Sequence, residues 1–149
     1  MQPNRIGLKY GLIAGVGVIA YFLLFYGIDK GLMLHFGIWW SSMVIYLLAM
    51  MHAVRKTGSF EFRAKAQAAF TTFLVANAAF YVFYYLLFGL IDPQLTELQR
   101  EILLQHPGIG EDIAKQDLDV TLGRSFFYFC RSLIGGFVLA AGIAALVNR

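Results

Sequence analysis

The sequence predicts an all-α integral membrane protein: a four-helix bundle in one transmembrane domain of 149 residues, with a short extramembrane amphipathic helix between spans three and four. Three observations predict it. The chain is 59% hydrophobic and 14% charged, where a soluble domain carries about 25% charged residues. Asp, Glu, Lys and Arg are absent from Tyr10–Ile28, Gly31–Val54, Ala66–Ile91 and Ser132–Asn148, runs of 19, 24, 26 and 17 residues; a bilayer core about 30 Å thick takes roughly 20 apolar residues of helix. The remaining charges sort by side. With spans at 8–28, 31–54, 65–91 and 125–147, the two termini and the middle loop share a face of net charge +6, and the opposite face carries −3. Short cytoplasmic loops retain Lys and Arg, so both termini are expected in the cytoplasm.

Span one opens with Arg5 and Lys9, as a signal peptide does, but its apolar run ends in aromatics and Tyr26-Gly27-Ile28-Asp29-Lys30 rather than small residues at a polar boundary. It reads as a retained span. Gly7, Gly11 and Gly15 recur every fourth residue within it. A dinucleotide fingerprint would follow a strand and offer open backbone amides, whereas lipid demands that every amide be satisfied inside a helix. The glycines are therefore expected to form a packing stripe that lets a neighbouring helix come close. A partner helix of the same chain is preferred to a second copy, because four spans already supply one.

Span two holds His35 and His52, 17 residues or roughly 25 Å apart along a helix. They cannot share a metal within one chain, and each reads as an interfacial anchor. Trp39-Trp40 in this span and the run Phe80 to Phe88 in span three are expected to form an aromatic belt at the non-cytoplasmic headgroups. The basic linker Arg55 to Lys65 is too short to build a site alone.

Span three carries a weaker small-residue row, Ala64, Ala68, Thr72 and Ala76, and near its middle Asn77, expected to hydrogen-bond to another helix. Large residues on the remaining faces are expected to meet lipid. The outer loop, 92–124, begins with Asp92-Pro93, an N-cap followed by proline at the first helical position. Leu95, Leu98, Ile102 and Leu103 then recur at helical spacing among charges, which predicts an amphipathic helix along the membrane surface or over the bundle. His106-Pro107-Gly108 stops it. The acidic stretch from Ile109 to Asp119 lacks the spacing of a calcium loop and reads as a solvated connector.

Span four repeats the packing device with Ser132, Gly136, Ala140 and Ala144. Cys130 lies inside it, so no disulfide framework exists. Arg131, roughly 10 Å from the midplane, is expected to snorkel to the headgroups. With Arg124, seven residues away on the same face, it forms a candidate contact for a lipid headgroup.

No serine–histidine–acid set, zinc ligand set or phosphate loop appears in the soluble parts, so no catalytic residue, metal site or cofactor is predicted. Haem on His35 or His52 would be the exception. The basic excess is explained by membrane topology, which removes nucleic acid as a partner and leaves membrane lipids, other membrane proteins or a second copy of the chain.

The segment Leu8-Lys9-Tyr10-Gly11-Leu12-Ile13-Ala14-Gly15, the basic turn Arg55 to Gly58 and Ile91-Asp92-Pro93-Gln94-Leu95 ending the third span resemble the bacterial family labelled domain of unknown function 4199. The resemblance implies a small four-span protein of the bacterial cytoplasmic (inner) membrane and transfers no activity. With no carboxylate inside a span, the residues point to a non-catalytic scaffold or accessory subunit that docks other membrane components. A small oligomeric transporter or channel, with Asn77 and the tyrosines lining a path, is the alternative.

Overall fold

The computed structural model describes residues 2–105 and 121–147, which form helices joined by short turns, with no strand among them. The helices are α1 (Pro3–Ile28), α2 (Lys30–Met33), α3 (Phe36–Ser41), α4 (Met43–Lys56), α5 (Phe62–Tyr85), α6 (Gln94–Leu104) and α7 (Leu122–Val147), and a π-helical turn, Leu86–Ile91, extends α5. Four stretches are long and apolar enough to cross a membrane: Pro3–Ile28, Gly37–Lys56, Phe62–Ile91 and Leu122–Val147. At 1.5 Å per residue even the shortest, 20 residues, spans about 30 Å.

Helix α5 is the hub. It packs against α1, α4 and α7, and α1 also packs against α4, while α1 and α7 do not touch among the described residues. Helices α1 and α5 run parallel in one register: a Cβ added at Gly7 would meet Thr71, at Gly11 Val75 and at Gly15 Ala79. The same added atoms would lie 2.9 Å from the carbonyl oxygens of Ala68 and Thr72. Two small-residue rows therefore bring backbone against backbone, the geometry that gains van der Waals contact where no hydrophobic effect separates helix from lipid. Gly17 and Gly27 stand apart from this seam.

The second span is broken where one continuous helix from residue 31 was expected. Asp29 accepts a bond from the Gly31 amide to start α2, and the His35 Nδ1 accepts one from the Gly37 amide to start α3. The membrane-crossing stretch therefore begins six residues later, at Gly37. A second break follows at Ser41-Ser42, whose hydroxyls donate back to the carbonyls of Ile38 at 2.9 Å and Trp39 at 2.6 Å. Such back-bonding competes with the helical ladder and bends it. Tyr21 of α1 bonds Ser41 at this joint.

Part of the expected headgroup belt is turned inward: Phe80 and Phe88 are buried, whereas Phe126, Phe127 and Phe137 of α7 stand exposed. Phe22, Phe73, Phe80 and Phe88 are buried in the core. Phe22, Trp39 and Phe80 lie within 5.7 Å of one another, centroid to centroid, and Tyr84 sits 4.5 Å from Phe88. Residues 80, 84 and 88 are four apart, so they share one face of α5, and that face points inward. Trp40 does stand outside, 59% exposed.

The outer helix α6 starts directly after Pro93 and folds over the end of the bundle against α2 and the π turn, with Leu95 and Thr96 buried and Leu98 packed on the core. The expected stop at 106–108 and the acidic connector from 109 to 119 lie outside the described residues.

Candidate functional site

Chemistry inside a bilayer has to come from its few polar side chains, so their positions decide what the bundle can do. Asn77 is 5% exposed, one position past the α1-facing row of α5. Its amide donates to the Ser132 hydroxyl of α7, and that hydroxyl in turn donates to the Phe129 carbonyl at 2.6 Å. Nearby, a Cβ added at Gly136 would collide with the Phe73 ring, so α7 seats a bare backbone on an aromatic face. Ala140 and Ala144 continue that row and are buried, while Ser132 is half-buried. Thr72 returns its hydroxyl to the Ala68 carbonyl at 2.8 Å. The α5–α7 seam is thus antiparallel, held by one polar clasp and a row of small residues.

A second polar locus closes the end of the bundle opposite the termini. The Asp92 carboxylate accepts from Lys30 Nζ at 2.6 Å and from the Tyr26 hydroxyl at 3.0 Å. The Lys30 bond, with help from Tyr26 and the Gln94 amide, holds the Asp92 carboxyl below the usual carboxylate range against the cost of burial. Lys30 is pushed up by the same bond. Residues separated by 62 positions are joined here, and the joint ties the start of α6 to the end of α1.

Between α5 and α7, at that same end, a groove of about 310 Å³ is lined by Ala78, Tyr81, Val82, Tyr85, Leu86, Leu122, Ser125, Phe126 and Phe129. Its lining is largely apolar, with hydroxyls only on Ser125, Tyr81 and Tyr85. The Ser125 side chain is 5% exposed and its Oγ has no hydrogen-bond partner among the described residues.

The two arginines suggested for headgroup contact both stand on α7. Arg131 is exposed and Arg124 half-exposed, in the helix's first turn. His52 bonds the Leu48 carbonyl through Nδ1 at 2.9 Å and lies against Tyr10, and His35 is engaged as the cap of α3. Among the described residues no group of three His, Cys, Asp or Glu side chains could hold a metal ion.

Neither the clasp at Asp92 nor the groove was visible in sequence. Asp92 reads as a helix cap, and nothing local points from it to Lys30. A signal for the groove did exist: Ser125 is a hydroxyl followed at once by Phe126, Phe127 and Phe129, where span four meets the interface.

The model of a family described as Protein of unknown function (DUF4199) matches residues 9–149. No curated protein and no solved structure matches the chain.

Proposed function

We propose, for a chain that belongs to the DUF4199 family, the role of a non-catalytic scaffold or accessory subunit that docks other membrane components from within the bilayer. One observation carries this reading: Asn77 and Tyr21, polar side chains inside the spans, are spent on joining helix to helix. Asn77 is bonded to Ser132 and Tyr21 to Ser41, while Thr72 and Ser42 return to their own backbone. An intramembrane polar group is the usual pointer to a transport path or a reaction centre. Here the foremost candidate, Asn77, is committed to a neighbour, and aromatic rings fill the space beside it. The same packing weighs against the oligomeric transporter or channel. Phe127, Ile134, Phe137 and Val138 on the edge helix α7 all stand more than 60% exposed and offer the docking face.

The basic ends of the chain support a placement with both termini in the cytoplasm. Purification from native membranes in mild detergent, paired with flux measurements on reconstituted vesicles, tests the role. The expected result is a stoichiometric companion protein, lost when Val138→Arg alters the α7 face, and vesicles no leakier than empty ones. A chain that stays alone, or a flux that vanishes with Asn77→Leu, would overturn it.

A further inference from the structure

A serine at the start of a membrane-crossing helix ordinarily donates to the carbonyl four residues back. Ser125 leaves that option unused: the Thr121 carbonyl accepts from the Ser125 backbone amide at 2.9 Å, and the Ser125 Oγ is buried with no partner among the described residues. A buried hydroxyl without a partner is costly, more so in hydrocarbon than beside water. No described residue supplies a partner, and the groove that Ser125 helps to line gives one access from outside the chain. That groove is otherwise lined by aliphatic and aromatic side chains, and its 310 Å³ falls within the range of sites that enclose small molecules. It opens between two membrane-crossing helices, so its occupant arrives from the lipid phase.

Charge sets the kind of lipid. Helix α7 is 26 residues long with no acidic residue in its first turn, and Arg124 in that turn adds a cation to the helix's positive end. Ser125 lies three residues into α7, about 4.5 Å along the axis, at the depth where a membrane lipid turns from headgroup to chain. We propose that the groove between α5 and α7 is a binding site for one anionic glycerophospholipid. Its acyl chain lies along Ala78, Val82 and Phe129, its ester carbonyl accepts a hydrogen bond from Ser125 Oγ, and its phosphate faces the N-terminus of α7 and Arg124. The site goes beyond the scaffold reading and stands whether or not a protein docks on α7.

The test uses the full chain in lipid nanodiscs containing a photoactivatable phosphatidylglycerol with a diazirine in one acyl chain. Labelling is expected to concentrate on peptides covering 78–86 and 122–129 at about one lipid per chain. The equivalent phosphatidylcholine should label about fivefold less, the loss of roughly one basic contact. Ala78→Phe fills the groove and should reduce labelling at least tenfold. Ser125→Ala, a change small enough to leave the fold intact, should cost about fivefold with the ester lipid and nothing with its diether analogue, which lacks the carbonyl. If Ala78→Phe does not yield folded protein, the ester and diether comparison in Ser125→Ala decides alone. Labelling spread evenly over all four spans, equal labelling by the two headgroups, or an equal effect of Ser125→Ala on ester and diether lipids would overturn the site.

Discussion

Replacing Gly11 by alanine asks whether α1 and α5 touch as closely as their register requires. The new Cβ would stand 2.6 Å from the Val75 Cβ and 2.9 Å from the Thr72 carbonyl oxygen. Carbon pairs are most stable at 3.5–4.0 Å, so the helices must part by about 1 Å at this level, and gaps of that size forfeit a quarter to a half of each affected contact. Neither struck atom can rotate away, because one is backbone and the other is fixed to it. The loss reaches the flanking contacts at Gly7 and Gly15, which share the register. Overpacking of this kind costs about 1–3 kcal/mol, and a value near 2 kcal/mol is expected for Gly11→Ala. Reversible unfolding in mixed micelles measures it, with Gly142→Ala as the control: an added Cβ there meets nothing within 4 Å, so stability should stay unchanged or rise slightly through helix propensity. Combining Gly11→Ala with Val75→Ala should restore little, since the struck Cβ remains and only the 3.1 Å approach to Cγ1 is relieved, whereas Val75→Gly should restore a larger part of the loss. Equal stability of Gly11→Ala and Gly142→Ala, or full rescue by Val75→Ala, would refute the reasoning.

The Asn77–Ser132 clasp should be worth about 0.6–2 kcal/mol, measured as the coupling between Asn77→Leu and Ser132→Ala in a double-mutant cycle of micelle unfolding. At the Asp92 joint, a carboxyl held below its ordinary value of about 3.9 stabilises the fold above that pH and loses the contribution as pH falls through the lower, folded value. The raised Lys30 contributes below its ordinary value of about 10.4 and fades as pH climbs past it. Melting curves of the wild type and Asp92→Asn should therefore differ by a constant amount at neutral pH and converge on acidification below about pH 4. Gly58, the one residue with positive φ among those described, at +60°, has open space around it. Gly58→Ala should still cost about 1–2 kcal/mol in thermal unfolding, because the strain is in the backbone and not in a contact.

What the sequence made legible follows from the solvent. Lipid admits only helices with satisfied backbones, so four uncharged runs became four spanning helices, and glycines four residues apart had to share a face. The outer helix could be read because its solvated side breaks the apolar run with Glu97, Arg100 and Glu101. The division of the second span was hidden, since Lys30, His35 and Ser41-Ser42 are each tolerable near a helix end and only together produce three helices. The direction of the aromatics was hidden for a different reason. Rings suit lipid, headgroups and a packed interior alike, and hydropathy does not distinguish Phe80 inside from Phe126 outside. The Asp92–Lys30 pair and the orphaned Ser125 hydroxyl depend on tertiary approach, which no local spacing encodes.

Because α7 leans on α5 and α4 but not on α1 among the described residues, the contacts of the first three spans with one another do not depend on the last. A ribosome delivering this polypeptide from its amino end would thus leave behind a finished trimer of rods with a vacant berth along α5, and the closing segment would arrive as a late tenant. Mutations on either wall of that berth should spare insertion of the earlier rods and show themselves only at the final step of biogenesis.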